Sequence, residues 1–132
     1  MKFKAFLAVL LTTTFLLTNC GSNLSKPSGT LNEFSARIKN KDVENLDELF
    51  SEKFKDANGI DFINRIKTNF NDEKILKENP QLTSFEIENE EIVSDRASVT
   101  TKSISKSGKI NKTIFVLVKE SGEWKIENIE QN

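Results

Sequence analysis

The chain has 132 residues, with 19 basic and 20 acidic side chains, ten phenylalanines, one tryptophan and one cysteine, and it contains neither histidine nor tyrosine. The two signs of charge are interspersed and nearly cancel, at a net −1, which argues against nucleic-acid binding because no basic stripe is available to neutralise phosphates. Without imidazole, and with a single thiol, the chain offers no Ser–His or Cys–His nucleophile, no histidine metal site and no internal disulfide.

In chain order the first signal is Met1-Lys2-Phe3-Lys4, then an apolar run from Ala5 to Leu17, then Thr18-Asn19-Cys20. A bilayer-spanning helix needs about 20 apolar residues, so this shorter run behind two lysines reads as a secretory signal. The segment resembles a bacterial lipoprotein signal peptide. Leu17 and Thr18 stand three and two places before the cysteine as in the lipoprotein box, although Asn19 replaces the usual Gly, Ala or Ser. The resemblance implies removal of residues 1–19, lipid on Cys20 and attachment to the cell membrane. Where the cell has two membranes the outer one is favoured, because Gly21 rather than aspartate follows the cysteine. Without residues 1–19 the chain keeps 17 basic and 20 acidic side chains and a net charge of −3, in a length that suits one domain. Residues 20–29 are mostly small and polar and include Pro27 and Gly29, so they predict a flexible lipidated tether ahead of a single domain at 30–132.

Thr30 and Glu33 are spaced as a capping box, which predicts a helix start there with Leu31, Phe34 and Ile38 on one face. A second short helix is expected after Asp42, carrying Val43, Leu46, Leu49 and Phe50. A third is expected from about Ile60 through Ile63, Ile66 and Phe70, with Asn58-Gly59 as the break between them. Ile75 and Leu76 lie in a charged stretch that ends at Asn79-Pro80, where the proline disfavours helix in the residue before it.

Beyond Pro80 the apolar period falls to two. Runs at Phe85 to Val93, Arg96 to Ser105, Lys109 to Lys119 and Glu123 to Ile129 are separated by Ser94-Asp95, Ser107-Gly108 and Ser121-Gly122, links that allow only antiparallel hairpins. The expectation is an α+β fold, with N-terminal short helices packed on a curved four-stranded antiparallel meander. For the last hairpin a three-residue loop at Glu120-Ser121-Gly122 sets Val118 opposite Trp124 and Val116 opposite Ile126, four apolar groups on one face; a two-residue loop sets Val118 against Lys125. The same reasoning pairs Val93 with Ala97, Glu91 with Val99 and Ile87 with Ser103, in a strand near an edge. Phe115, Leu117 and Ile129 then form an opposite apolar face. Long lysine and glutamate stems cover it in the preferred reading, and a weak homodimer forms through it in the other.

Helices first, then a meander ending in Glu120-Ser121-Gly122-Glu123-Trp124-Lys125-Ile126, resemble small cystatin-like, NTF2-like domains of the DUF4878 type, several of which occur as bacterial lipoproteins. The resemblance implies a cone-shaped scaffold that hosts enzymes, binders and structural modules alike. Isomerases and dehydratases of this shape rely on an acidic or imidazole base with a tyrosine or similar donor, and this chain has no tyrosine and no histidine.

Glu86, Glu88, Glu90 and Glu91 are the one local concentration of carboxylates. They lack a calcium-binding loop, and pairing with Lys102, Lys106 and Lys112 is the better use of them. The expectation is therefore no catalytic residue, no metal and no cofactor, with Cys20 as the lipidation site. The favoured function is a non-catalytic binding or interaction module of the cell envelope, meeting a small apolar ligand or an envelope protein. The alternatives are a surface-exposed lipoprotein that contacts host or environmental macromolecules and, more distantly, an NTF2-like enzyme using cleft carboxylates.

Overall fold

A computed structural model describes residues 22–69 and 73–131. Cys20 and the segment 1–19 that resembles a signal peptide lie outside the described residues, as does Phe70. After a 3-10 turn at Ser22–Ser25, helix α1 spans Pro27–Lys39, three residues ahead of the expected capping box. Proline fits a first helical turn, since its φ is preset and its missing N–H would have no partner there. Thr30, one turn in, is buried, and its hydroxyl donates to the Trp124 carbonyl at 2.8 Å. Pro27 is buried as well and Leu24 packs on the core. Residues 24–29, expected as tether, are therefore built into the domain. α1 closes with Lys41 in the left-handed region at φ 60 and with the Asp42 N–H bonded to the Arg37 carbonyl at 2.8 Å.

The expected second helix is a 3-10 turn, Leu46–Leu49, after which Phe50 leaves as extended chain and bridges in parallel to Ile126. Ser51 caps the next element by accepting from the Phe54 N–H at 3.1 Å. That element is a helix in three registers: α2 at Glu52–Phe54, a π-helical turn at Lys55–Gly59, and α3 at Ile60–Asn69. Asn58-Gly59 thus does not break the helix as its composition suggested. Gly59 is buried, and a Cβ there would overlap the Phe54 carbonyl oxygen and ring. Helix α4 at Glu73–Glu78 stops before Asn79-Pro80 as expected, and a 3-10 turn at Pro80–Leu82 leads to the sheet.

The sheet is an open antiparallel meander in the order β1-β2-β3-β4, with strands Glu86–Val93, Arg96–Ile104, Ile110–Glu120 and Glu123–Gln131. The α+β expectation holds, and β1 lies at an edge. The registers differ from expectation. Glu120 pairs with Glu123 and Val118 with Lys125 across a two-residue turn in which Ser121 (φ 52) and Gly122 (φ 81) are both left-handed, the backbone that a tight right-twisted hairpin requires. Likewise Val93 pairs with Arg96 and Ile87 with Thr101, with Ser94 at φ 56.

One bulge in each edge strand reconciles these registers with burial. In β4 Leu117 faces Ile126 and Val116 faces Asn128, so Glu127 is the extra residue. Ile126 and Ile129, three apart, would lie on opposite faces of a regular strand, and the bulge returns both to the helix side. Phe115, Leu117, Trp124 and Ile126 are accordingly the buried face, with Ile129 packed against it. Val116 and Val118 point outward and are half-buried. The Phe115, Leu117 and Ile129 face, which the less favoured reading gave to a homodimer, is therefore covered by this domain's own helices. Arg96 of β2 reaches across β3 to Glu127, which also meets Lys53 at 3.8 Å, so charged stems do cover one sheet face, the one carrying Val116 and Val118.

The core joins Leu31, Phe34 and Ile38 of α1, Leu46, Leu49 and Phe50, Ile63 and Ile66 of α3, and the inner sheet face. Phe50 is its hub. Its ring centroid lies 5.7 Å from Phe34, 4.7 Å from Phe54 and 6.3 Å from Phe62, spacings in the favourable range for aromatic pairs. The free edge of β4 is closed by the Phe50 bridge and by the Ser51 N–H bonded to the Ile126 carbonyl at 2.9 Å. The edge of β1 is guarded differently, by its bulge between Ile87 and Asn89 and by exposed carboxylates, both of which discourage strand addition.

Candidate functional groove

The centre of the space between helices and sheet is filled, since Leu31, Phe34, Ile63, Phe115 and Leu117 are at most 1% exposed. An apolar-floored groove opens where the helical layer ends. On α3, Phe62, Arg65, Ile66 and Asn69 follow the i, i+3, i+4, i+7 spacing that puts four side chains on one helical face. On α4, Ile75 and Leu76 turn toward that face, and Asn79, Gln81, Leu82 and Gln131 complete a cavity of ≈ 430 Å³. This lies within the range of small-ligand pockets, which combine an apolar lining with a few placed polar groups.

Its floor is Phe62, Ile66, Ile75, Leu76 and Leu82, and its rim carries four amides and one guanidinium with no carboxylate among the lining residues. The amides are partly committed. Asn79 Nδ2 donates to the Ile75 carbonyl at 2.8 Å, and Gln81 Nε2 donates to Asn79 Oδ1 at 3.3 Å. These bonds fix the turn that leads into the sheet.

Two other clefts differ in kind. The larger, ≈ 720 Å³, lies between α4 and the β2–β3 hairpin tip and is lined by Glu73, Lys74, Lys77, Glu78, Ser105, Lys106 and Ser107. It has no apolar floor, so water fills it at little cost. The other, ≈ 370 Å³, lies between α1 and residues 83–86, where Ser35 Oγ donates to the Thr83 carbonyl at 3.1 Å. Phe85 and Ala36 are its only apolar side chains.

The carboxylates of β1 do not converge. Glu86, Glu88, Glu90 and Glu91 are all exposed, and the bulge between Ile87 and Asn89 breaks the strand alternation that would align Glu86, Glu88 and Glu90 on one face. Glu88 pairs with Lys112 at 3.2 Å, Glu86 lies in register with Lys102, and Glu91 accepts from Asn89 at 3.3 Å. No group of three or more acidic or thiol side chains suited to a metal occurs among the described residues. Reading the sequence for carboxylates missed the groove, although the spacing of Phe62, Arg65, Ile66 and Asn69 was the signal for it.

Helices over one face of an open antiparallel sheet, with an apolar-floored groove at the end of the helical layer, define a small α+β domain. The chain belongs to the DUF4878 family, described as a domain of unknown function, whose model matches residues 18–127. No curated protein and no solved structure matches it.

Proposed function

We propose that the protein is an envelope lipoprotein, held at the membrane by lipid on Cys20, whose domain is a non-catalytic module that binds a small apolar ligand in the groove between α3 and α4. The groove carries this reading, because four half-buried apolar side chains, Phe62, Ile75, Leu76 and Leu82, beside the buried Ile66 leave apolar surface where an apolar ligand gains by leaving water. A rim of amides and one arginine, without a carboxylate, supports binding over proton abstraction. The Leu17-Thr18-Asn19-Cys20 segment supports the anchor, since diacylglyceryl modification supplies the two chains that stable attachment needs. The order of elements supports placing the domain among the cystatin-like, NTF2-like folds.

The anchor is tested by phase partition. Cys20→Ala moves the protein from the detergent phase to the aqueous phase, and unchanged partition defeats the lipoprotein reading. The ligand is tested by mass spectrometry of what co-purifies with the detergent-extracted protein. A small apolar molecule lost on Leu76→Gln supports the groove, whereas a protein partner retained by that variant overturns it.

A further inference from the structure

Arg65 stands apart from the other two arginines of the chain. Arg37 donates to the Asn45 carbonyl at 2.7 Å and meets Glu48 at 3.4 Å and Glu33 at 3.9 Å, while Arg96 is engaged by Glu127. Arg65 has no hydrogen-bond or ion-pair partner among the described residues. It is exposed at the rim of the groove, one helical turn after Phe62 and next to Ile66, and it is the only cation lining that cavity. A guanidinium left unpaired beside an apolar floor is complementary to a ligand with an apolar body and an anionic end. Its planar fork matches a carboxylate with two parallel hydrogen bonds, and a single cation balances a monoanion. The volume of ≈ 430 Å³, toward the low end of ligand pockets, suits one chain rather than two.

We infer that the groove takes a single-chain fatty carboxylate, its chain on the floor between α3 and α4 and its head on Arg65. This rests on the groove being a binding site at all, and the experiment separates the two claims. The full chain carrying Cys20→Ala, purified without detergent, is titrated by calorimetry with decanoate, with decanol and with a ten-carbon lysophosphatidate at a pH where the carboxylate is ionised. The expected result is that decanoate binds more tightly than decanol, that Arg65→Gln weakens decanoate about tenfold and leaves decanol unchanged, and that Arg65→Lys recovers part of the loss. Thermal melts of both variants matching the parent keep the comparison free of folding effects, which is expected because Arg65 is exposed and holds nothing else. If decanol binds as tightly as decanoate, or Arg65→Gln changes neither, the groove stands and the head-group assignment fails. Tighter binding of the lysophosphatidate overturns the carboxylate in favour of phosphate. If none of the three binds, the groove itself is not a ligand site.

Discussion

Trp124 shows how much one side chain carries here. It is 3% exposed, its carbonyl accepts from the buried Thr30 hydroxyl, and Lys119 Nζ lies 5.8 Å above its ring, so it ties β4 to α1 as well as filling the core. Trp124→Ala should cost about 3–5 kcal/mol in denaturant unfolding, the range for deleting a buried large aromatic. Emission of this sole tryptophan at the wavelength of an exposed indole in the native protein would contradict its placement. Gly59 is the opposite case, a residue needed for what it lacks. An added methyl would overlap the Phe54 carbonyl and ring, and relieving that means moving a stacked aromatic cluster or opening the π-helical turn. Gly59→Ala should therefore destabilise by about 1–3 kcal/mol, as overpacking does, although alanine normally favours helix over glycine. A neutral or stabilising result would show that the turn relaxes freely.

Elements matter through register. The bulge at Glu127 is what allows Ile126 and Ile129 to share the helix side, so deleting the residue is a different experiment from trimming it. Glu127→Ala keeps the bulge and removes an ion pair with the exposed Arg96 and Lys53, a loss of about 1 kcal/mol or less. Deletion of Glu127 also loses the ion pair and makes β4 regular, but it leaves Ile126 and Ile129 two apart and so both on the helix side, and its cost should stay near that of the trimmed side chain. Urea unfolding of the two variants side by side checks this, and a midpoint clearly lower for the deletion would mean that the fold needs the local bend of the bulge itself.

For the whole molecule, the boundary of the domain is the practical consequence. Because Leu24 packs on the core and Pro27 starts α1, a chain beginning at Gly29 loses the first helical turn and an apolar contact, while one beginning at Ser22 keeps both. The shorter chain should melt several degrees lower, since about 1 kcal/mol shifts a domain of this size by roughly 4–8 °C. Identical melting temperatures would return residues 22–28 to the tether. In the proposed lipoprotein this leaves little chain between Cys20 and the fold, an arrangement that would hold the domain close to the lipid surface.

The sequence by itself determined the elements. Apolar spacing of three and four marked α1 and α3, alternation marked all four strands to within a residue or two, and Pro80 marked the passage between them, because these signals are local and each follows from the geometry of its own segment. Ahead of the lone Cys20 it offered only a resemblance to a lipoprotein signal, on which the proposed anchor rests. The tertiary structure decided the registers, since a two-residue turn combined with one bulge collects Phe115, Leu117, Trp124, Ile126 and Ile129 on one face, and only the helical layer across the sheet rewards that arrangement. It decided that Thr30 bonds to Trp124 rather than capping its own helix, a choice between a local partner and one 94 residues away. It also decided where the core stops. Arg65 and Ile66 read locally as a solvated and a buried position of one helix, and only the approach of α4 and the Pro80–Leu82 turn makes them the rim and floor of a groove.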